Sequence, residues 1–561
     1  MLSRRAFVQR SVAALGSTIP LTAISRHALM APPSQTPRGF ADLTRTPDLL
    51  TVQTADGDQR LTMANGAWNG RGIRVSTIHA GDALHVELEA TSAHVKRIGL
   101  RWRARLDGVR ASLGDAWERG YGDLEWRGFV PDRVMPWYCA TWDGTRTDAY
   151  GVRTGANALC AWFVDADGIS LWADVRSGAA PIELGDRALH VCDVVCRTGR
   201  DGESAFAALH AFCKQMCPTP RLPSQPVYGS NDWYYAYGRN SQSTVLADVE
   251  HIVELSPAGS NRPFVVIDDG WQPGRGANRA GTGTWDHANE KFPDLPRLLA
   301  DVKERGARPG MWIRPLQAPS DVPDSWRSPR SRNVLDPTIT GVREKISADI
   351  ARLREWGCAM IKHYYSSFDL FGRWGNQMGS SLTPDGWTFA EGPKRTTAEV
   401  INELYRTIRT AAGDMTIIGC NTISHLSAGV FEICRIGDDT SGTEWPRTRR
   451  MGVNTLGYRG AQHGAFYTAD ADCVGVTNSI PWDLNRQWLD LVSRSGTMTF
   501  VSLAPDALGV DQRRDLTAAL ARAALPQPLG EPLDWQQTTL PRRWKLMGEE
   551  RSYDWGAVEA G

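Results

Sequence analysis

From about residue 47 to 197 the chain alternates apolar and polar positions in short runs, such as IRVST (73–77), LHVELEA (84–90), ISLWADV (169–175) and LHVCDVVC (189–196). Asp-Gly turns at 56–57, 107–108 and 167–168 punctuate them. A period of two buries one face of each strand, and many short strands with regular turns predict a β-sandwich, here over 45–217. A helical pattern at 203–216 closes this unit, and Pro218, Pro220, Pro223 and Pro226 mark a linker. Beyond it the period changes. Strand-like runs fall at 227–230, 264–267, 309–313, 358–362, 415–420, 431–436, 464–468 and 497–502. Helical patterns lie between most of them, at 244–255, 295–305, 342–356, 397–412, 446–458 and 482–494, while the fifth crossover, 421–430, is too short for a full helix. This rhythm predicts a (β/α)8 TIM barrel over 224–525. A doubly wound open sheet is the alternative, disfavoured because no Gly-rich phosphate loop follows the first strand. After a helix at 511–524, strand-like pieces at 535–539 and 543–546 predict a short C-terminal β segment within 526–561.

The barrel reading locates the chemistry, because such barrels build active sites at the carboxyl ends of their strands. The run FVVIDDGWQP (264–273) is the clearest case: four apolar residues suit a strand buried on both faces, and two acids and a tryptophan follow at once. An Asp-Gly hairpin is the bland alternative, but no second strand follows. The other strand ends present Trp233, Trp312, Arg314, Lys362, Asn421, Arg435, Asp438, Asp439, Asp470 and Asp472. With Asp268, Asp269 and Trp271 they form a set of carboxylates, amides, cations and indoles suited to a polyol. One stretch of the sandwich, 113–138, is too polar for a core strand. It is expected to reach over a neighbouring domain's cleft.

Composition narrows the classes. Lys plus Arg equals Asp plus Glu at 63 each, which removes the basic footprint of a nucleic-acid binder. The 22 tryptophans are expected mainly in cores, with a few lining a cleft for sugar rings. The ten cysteines show no convincing zinc spacing, and neither a metal nor a cofactor is expected. No stretch is long enough for a transmembrane helix. The start, MLSRRAFVQR, carries Arg4-Arg5 before Phe7 and then a mildly apolar segment. This twin-arginine pattern predicts a signal segment at 1–31 and a periplasmic or secreted protein. An oligomer is possible.

IDDGWQ (267–272), KFP (291–293), PGMWIRP (309–315), the Ile361-Lys362 pair and the Arg435-x-x-x-Asp439 spacing, in that order, resemble the α-galactosidase (melibiase-type) glycoside hydrolases of families 27 and 36. The resemblance spans about residues 228–505, and the preceding sandwich looks like the family 36 arrangement. It implies that Asp268, Asp269, Lys362 and Arg435 hold sugar hydroxyls and that Asp439 is the general acid/base, with Asp438 as the alternative. At one position the chain departs from the pattern. Where the resemblance calls for Lys, any residue, then a nucleophilic Asp, the sequence reads Lys362-His363-Tyr364. Retaining hydrolysis needs two carboxyl groups about 5–5.5 Å apart, and Tyr364 stands in place of one of them. Asp369, five residues on, would need a rearrangement to substitute. The expectations are therefore an exported protein acting on an oligosaccharide or glycoside, with two functional readings. One is a retaining α-galactosidase-like hydrolase with Tyr364 and Asp439 at the catalytic positions; the other is a carbohydrate-binding protein that has lost its nucleophile.

Overall fold

The computed structural model describes residues 39–274 and 283–556. The expected signal segment at 1–31 lies outside these residues, as do residues 557–561 of the expected C-terminal segment. Alternation becomes a sandwich of two antiparallel sheets, one of six strands and one of eight. In the larger sheet Ala83–Ala90 pairs with Leu189–Arg197, and their inward residues Val86, Leu88 and Val194 are fully buried while His85, Glu87 and Asp193 face outward. Helix Ala205–Met216 then packs on the strand Thr147–Val152.

Eight parallel strands close the barrel in sequence order: Tyr228–Asn231, Phe264–Ile267, Arg308–Ile313, Met360–His363, Thr416–Gly419, Ile433–Arg435, Thr468–Val476 and Met498–Leu503. All four residues of Phe264–Ile267 are buried, as a strand covered on both faces requires. Surrounding helices start on their own signals. Thr396 caps Thr397–Ala412: its hydroxyl accepts the Glu399 amide at 3.0 Å, and the Glu399 carboxylate accepts the Thr396 amide at 2.9 Å.

Three expectations need correction. The seventh strand runs over Thr468–Val476, not 464–468. Its two aspartates read as rim residues, yet they sit inside the strand because Arg435 on the neighbouring strand neutralises them. The helix expected at 446–458 is a chain of short pieces, Trp445–Thr448, a π-helical turn Arg449–Asn454, and Thr455–Arg459. No strand forms at 535–539; the C-terminal element is a three-stranded sheet of Glu531–Pro532, Arg543–Leu546 and Glu549–Ser552. All ten cysteines are free.

The insertion between sandwich strands does cross to the barrel. The Gly120 amide donates to the Ile436 carbonyl at 2.8 Å, and the Asp438 amide donates to the Gly120 carbonyl at 2.8 Å. The insertion thereby extends the end of the sixth barrel strand. Behind this bridge, the fully buried Arg459 makes a two-pronged contact to Asp115, with Nε 2.7 Å and Nη2 3.2 Å from its carboxylate. Removing one partner of such a pair strands a charge without solvent, at about 3–5 kcal/mol. Asp115→Ala is accordingly expected to lower unfolding stability by about 3–5 kcal/mol in a urea titration; a loss below about 1 kcal/mol would mean that the pair does not join the two units.

Candidate functional site

The barrel mouth is organised around buried cations. Lys362, on the fourth strand, places Nζ 2.6 Å from Asp268 Oδ2, which also accepts a hydrogen bond from Asn231 Nδ2 at 2.8 Å. Burial pulls the Lys362 ammonium down, but the Asp268 carboxylate outweighs it and holds the group above its usual range. Asp232, one residue past the first strand, accepts the Asp268 amide at 2.9 Å and the Asn240 side-chain amide at 3.0 Å. Burial and then repulsion from Asp268 push Asp232 up to about 7. Asp269 accepts from Gln272 Nε2 at 2.7 Å. Asp268 and Asp269 are 3 % and 8 % exposed, so both acids are buried, the first as the partner of Lys362.

On the opposite side Arg435 meets three acids. Its Nε is 3.0 Å from Asp470 Oδ2, Nη2 2.7 Å from Asp472 Oδ1, and Nη1 3.4 Å from Asp439 Oδ1. Asp472 also accepts from the Tyr234 hydroxyl and, at 2.7 Å, from the Thr440 amide. Burial weakens the Arg435 hold on its proton, but Asp472 and Asp470 more than offset this. Asp439 keeps a side-chain exposure of 15 %, well above that of Asp470 and Asp472, and so faces the opening.

Tyr364 follows Lys362 on the same face, as strand alternation requires, while His363 points back among Tyr405 and Phe431. Burial in that apolar pocket lowers the His363 imidazole to about 3, so it is neutral. The Tyr364 hydroxyl donates to Asp439 Oδ1 at 2.7 Å. Arg119, from the sandwich insertion, completes the cluster: Nη1 is 3.4 Å from the Tyr364 oxygen and 3.5 Å from Asp439 Oδ1, and Nη2 is 2.5 Å from Asp438 Oδ1. Its guanidinium also lies over the rings of Tyr121, Tyr364 and Trp374, at 5.7, 5.7 and 5.9 Å. Beside it the buried Glu118 carboxylate accepts Asn421 Nδ2 at 2.6 Å and the Gly375 amide at 3.0 Å. Burial pushes the Glu118 carboxyl up against the pull of Arg119.

Of the candidates read from the sequence, Asp268, Lys362, Tyr364, Arg435 and Asp439 belong to these connected networks, with Asp269 beside Asp268. Trp312 lies 6.0 Å from the Tyr364 ring, between centroids. Trp233 is 6 % exposed and stacks edge-on to Tyr237 at 5.6 Å. Trp271 does not face the mouth: it is fully buried, donates Nε1–H to the Trp312 carbonyl at 2.9 Å, and packs on Trp285. Asn421 is engaged by Glu118, and Arg314 binds Asp369 through two bonds of 2.9 and 2.6 Å. Asp369 is thus held as a structural partner and is 1 % exposed, which removes it as a substitute nucleophile in this arrangement. Sequence reasoning missed Arg119, Glu118 and Tyr121. The only signal was the polarity of their insertion, since nothing local says which residue of a long loop meets a distant strand.

Comparison with known proteins agrees with this architecture. No family model matches the chain. An α-galactosidase of Escherichia coli is 30 % identical over 108 residues, a match covering 19 % of this chain and 14 % of that enzyme. Among solved structures, the Thermus thermophilus α-galactosidase in complex with p-nitrophenyl α-D-galactopyranoside superposes with a TM-score of 0.58 at 17 % identity, covering 90 % of this chain and 99 % of the other. The GH36 α-galactosidase AgaA of Geobacillus stearothermophilus, in complex with 1-deoxygalactonojirimycin, gives 0.60 at 15 % identity, covering 90 % and 79 %. At these identities the likeness is one of fold, and the chain has the sandwich-and-barrel fold of the family 36 α-galactosidases.

Proposed function

We propose that the barrel mouth receives the terminal sugar of an α-linked galactoside and that Tyr364 silences the retaining hydrolysis its surroundings would otherwise support. The binding half rests on Asp269, Lys362, Arg435 and Asp439, charged donors and acceptors of the kind that hold sugar hydroxyls through charge-assisted bonds. Related folds are known in complexes with stachyose and raffinose, both α-galactosides.

The silencing half rests on one distance. In a retaining hydrolase the anomeric carbon and the departing oxygen lie between nucleophile and acid, whose carboxyl groups stand about 5–5.5 Å apart. Here the Tyr364 hydroxyl is 2.7 Å from Asp439. Two oxygens in direct hydrogen bond leave no room for a glycosidic bond between them, and the phenol occupies the oxygen that would deliver the proton. A second reading draws on Arg119: with a carboxylate accepting the phenol's proton and a guanidinium 3.4 Å from its oxygen, Tyr364 could attack as a tyrosinate, as in sialidases. From the twin-arginine pattern we further propose that the protein meets its ligand outside the cytoplasm. Arg4→Lys with Arg5→Lys is expected to retain it inside, as seen by fractionation; unchanged export would end that reading.

For binding, Asp269→Asn is expected to weaken an aryl α-galactoside at least tenfold, about 1.5–3 kcal/mol per charged bond, with an unchanged melting temperature. Asp268→Asn is a less clean probe. It leaves Lys362 buried without its partner, so stability is expected to fall by several kcal/mol along with affinity. Calorimetry showing undiminished binding in both variants would remove the site assignment.

For catalysis, the unmodified protein and Tyr364→Phe are both expected to leave an aryl α-galactoside uncleaved. Tyr364→Asp is expected to restore hydrolysis with retention of anomeric configuration, followed by proton NMR. Brisk turnover abolished by Tyr364→Phe would instead establish the tyrosinate reading.

A further inference from the structure

Far along the chain from the barrel mouth, the larger sandwich sheet carries two imidazoles and a carboxylate on one patch. His85 and Asp193 are directly paired residues of the neighbouring strands Ala83–Ala90 and Leu189–Arg197, and His190 is paired with Glu87 two positions along. A spacing of three would normally put His190 and Asp193 on opposite faces of their strand. The register shifts between His190 and Cys192, however, so the strand carries a β-bulge there, and Val191 is taken inside. The bulge turns His190 back onto the face that bears Asp193. Bulges re-aim side chains in this way, and here the result is convergence: one ligand atom from each of His85, His190 and Asp193 falls within 4.8 Å of the others.

We propose that His85, His190 and Asp193 bind a divalent transition-metal ion of the zinc class, as a clip across the two strands. Each residue supplies a donor of the type zinc prefers, imidazole nitrogen or carboxylate oxygen, and three protein ligands with water in the fourth place is a stable coordination set. The side chains are 38 %, 47 % and 19 % exposed, so an ion can enter from solvent and keep a water. Without metal, Asp193 holds the group together by itself. Its Oδ1 is hydrogen-bonded to His85 Nδ1 and lies 3.2 Å from His190 Nε2, and the imidazole rings are 5.9 Å apart. A carboxylate that orients two imidazoles pre-organises the ligands, and an incoming cation replaces the protons that the three share. Glu87, beside His190, adds negative charge near the ion. Nothing here depends on the sugar reading, since the patch lies on the outward face of the sandwich.

The test is calorimetric titration of the full chain with zinc chloride, alongside His85→Ala, His190→Ala and Asp193→Asn. Their partly exposed positions allow each variant to fold, which an unchanged metal-free melting temperature verifies. One zinc ion per chain is expected, with affinity lowered at least tenfold in each variant and a zinc-dependent rise in melting temperature present only in the unmodified protein. Cobalt(II) in place of zinc is expected to give visible d–d bands without a thiolate charge-transfer band, distinguishing this site from the cysteines. Absence of binding, affinity undiminished in the variants, or a thiolate spectrum would each overturn the proposal.

Discussion

A buried charge must be paired, and in this protein that requirement fixes the barrel mouth. Lys362 and Arg435 sit on separate strands, each buried, and each draws carboxylates into position: Asp268 on one side, Asp470 and Asp472 on the other. Desolvating such groups costs several kcal/mol per ion unless geometry and hydrogen bonding are good. The acids therefore cannot be moved or neutralised one at a time. Asp439 stands at the edge of this network, held by Arg435 and partly exposed, and Asp269 is buried beside Asp268.

Tyr364 takes its place in that frame without disturbing it. It keeps the strand's alternation, fills its position with a ring, and satisfies its hydroxyl on the acid it faces. Arg119 then gives both groups a cation, so the Tyr364–Asp439 contact is stabilised from a second domain. A tyrosine enclosed in this way is a settled element of the mouth.

How much of this was legible in the sequence follows from how local each signal is. The buried run Phe264–Ile267 and the acids after it are contiguous, so period and position sufficed. Tyr364 was legible for the same reason, being two residues from Lys362. The role of Trp271 was misjudged because an aromatic beside a site looks the same in sequence whether its ring turns into the core or the cleft; its indole N–H found a backbone carbonyl inside. Asp470 and Asp472 blurred the seventh strand because their counter-charge, Arg435, lies on another strand. The position of Arg119 left no signal beyond the polarity of its insertion, and the His85–His190–Asp193 patch left none. The first depends on where a loop of the sandwich lands, and the second on strand pairing plus one bulged residue, neither of which a linear spacing encodes.

The most direct test of the account is to soak crystals of the unmodified protein with an aryl α-galactoside and examine the barrel mouth. The account predicts an intact glycoside, its terminal sugar between Asp269 and Arg435. A cleaved sugar, or one covalently attached to Tyr364, would contradict the silenced mouth, and a site that stays without sugar at saturating concentration would contradict the binding itself.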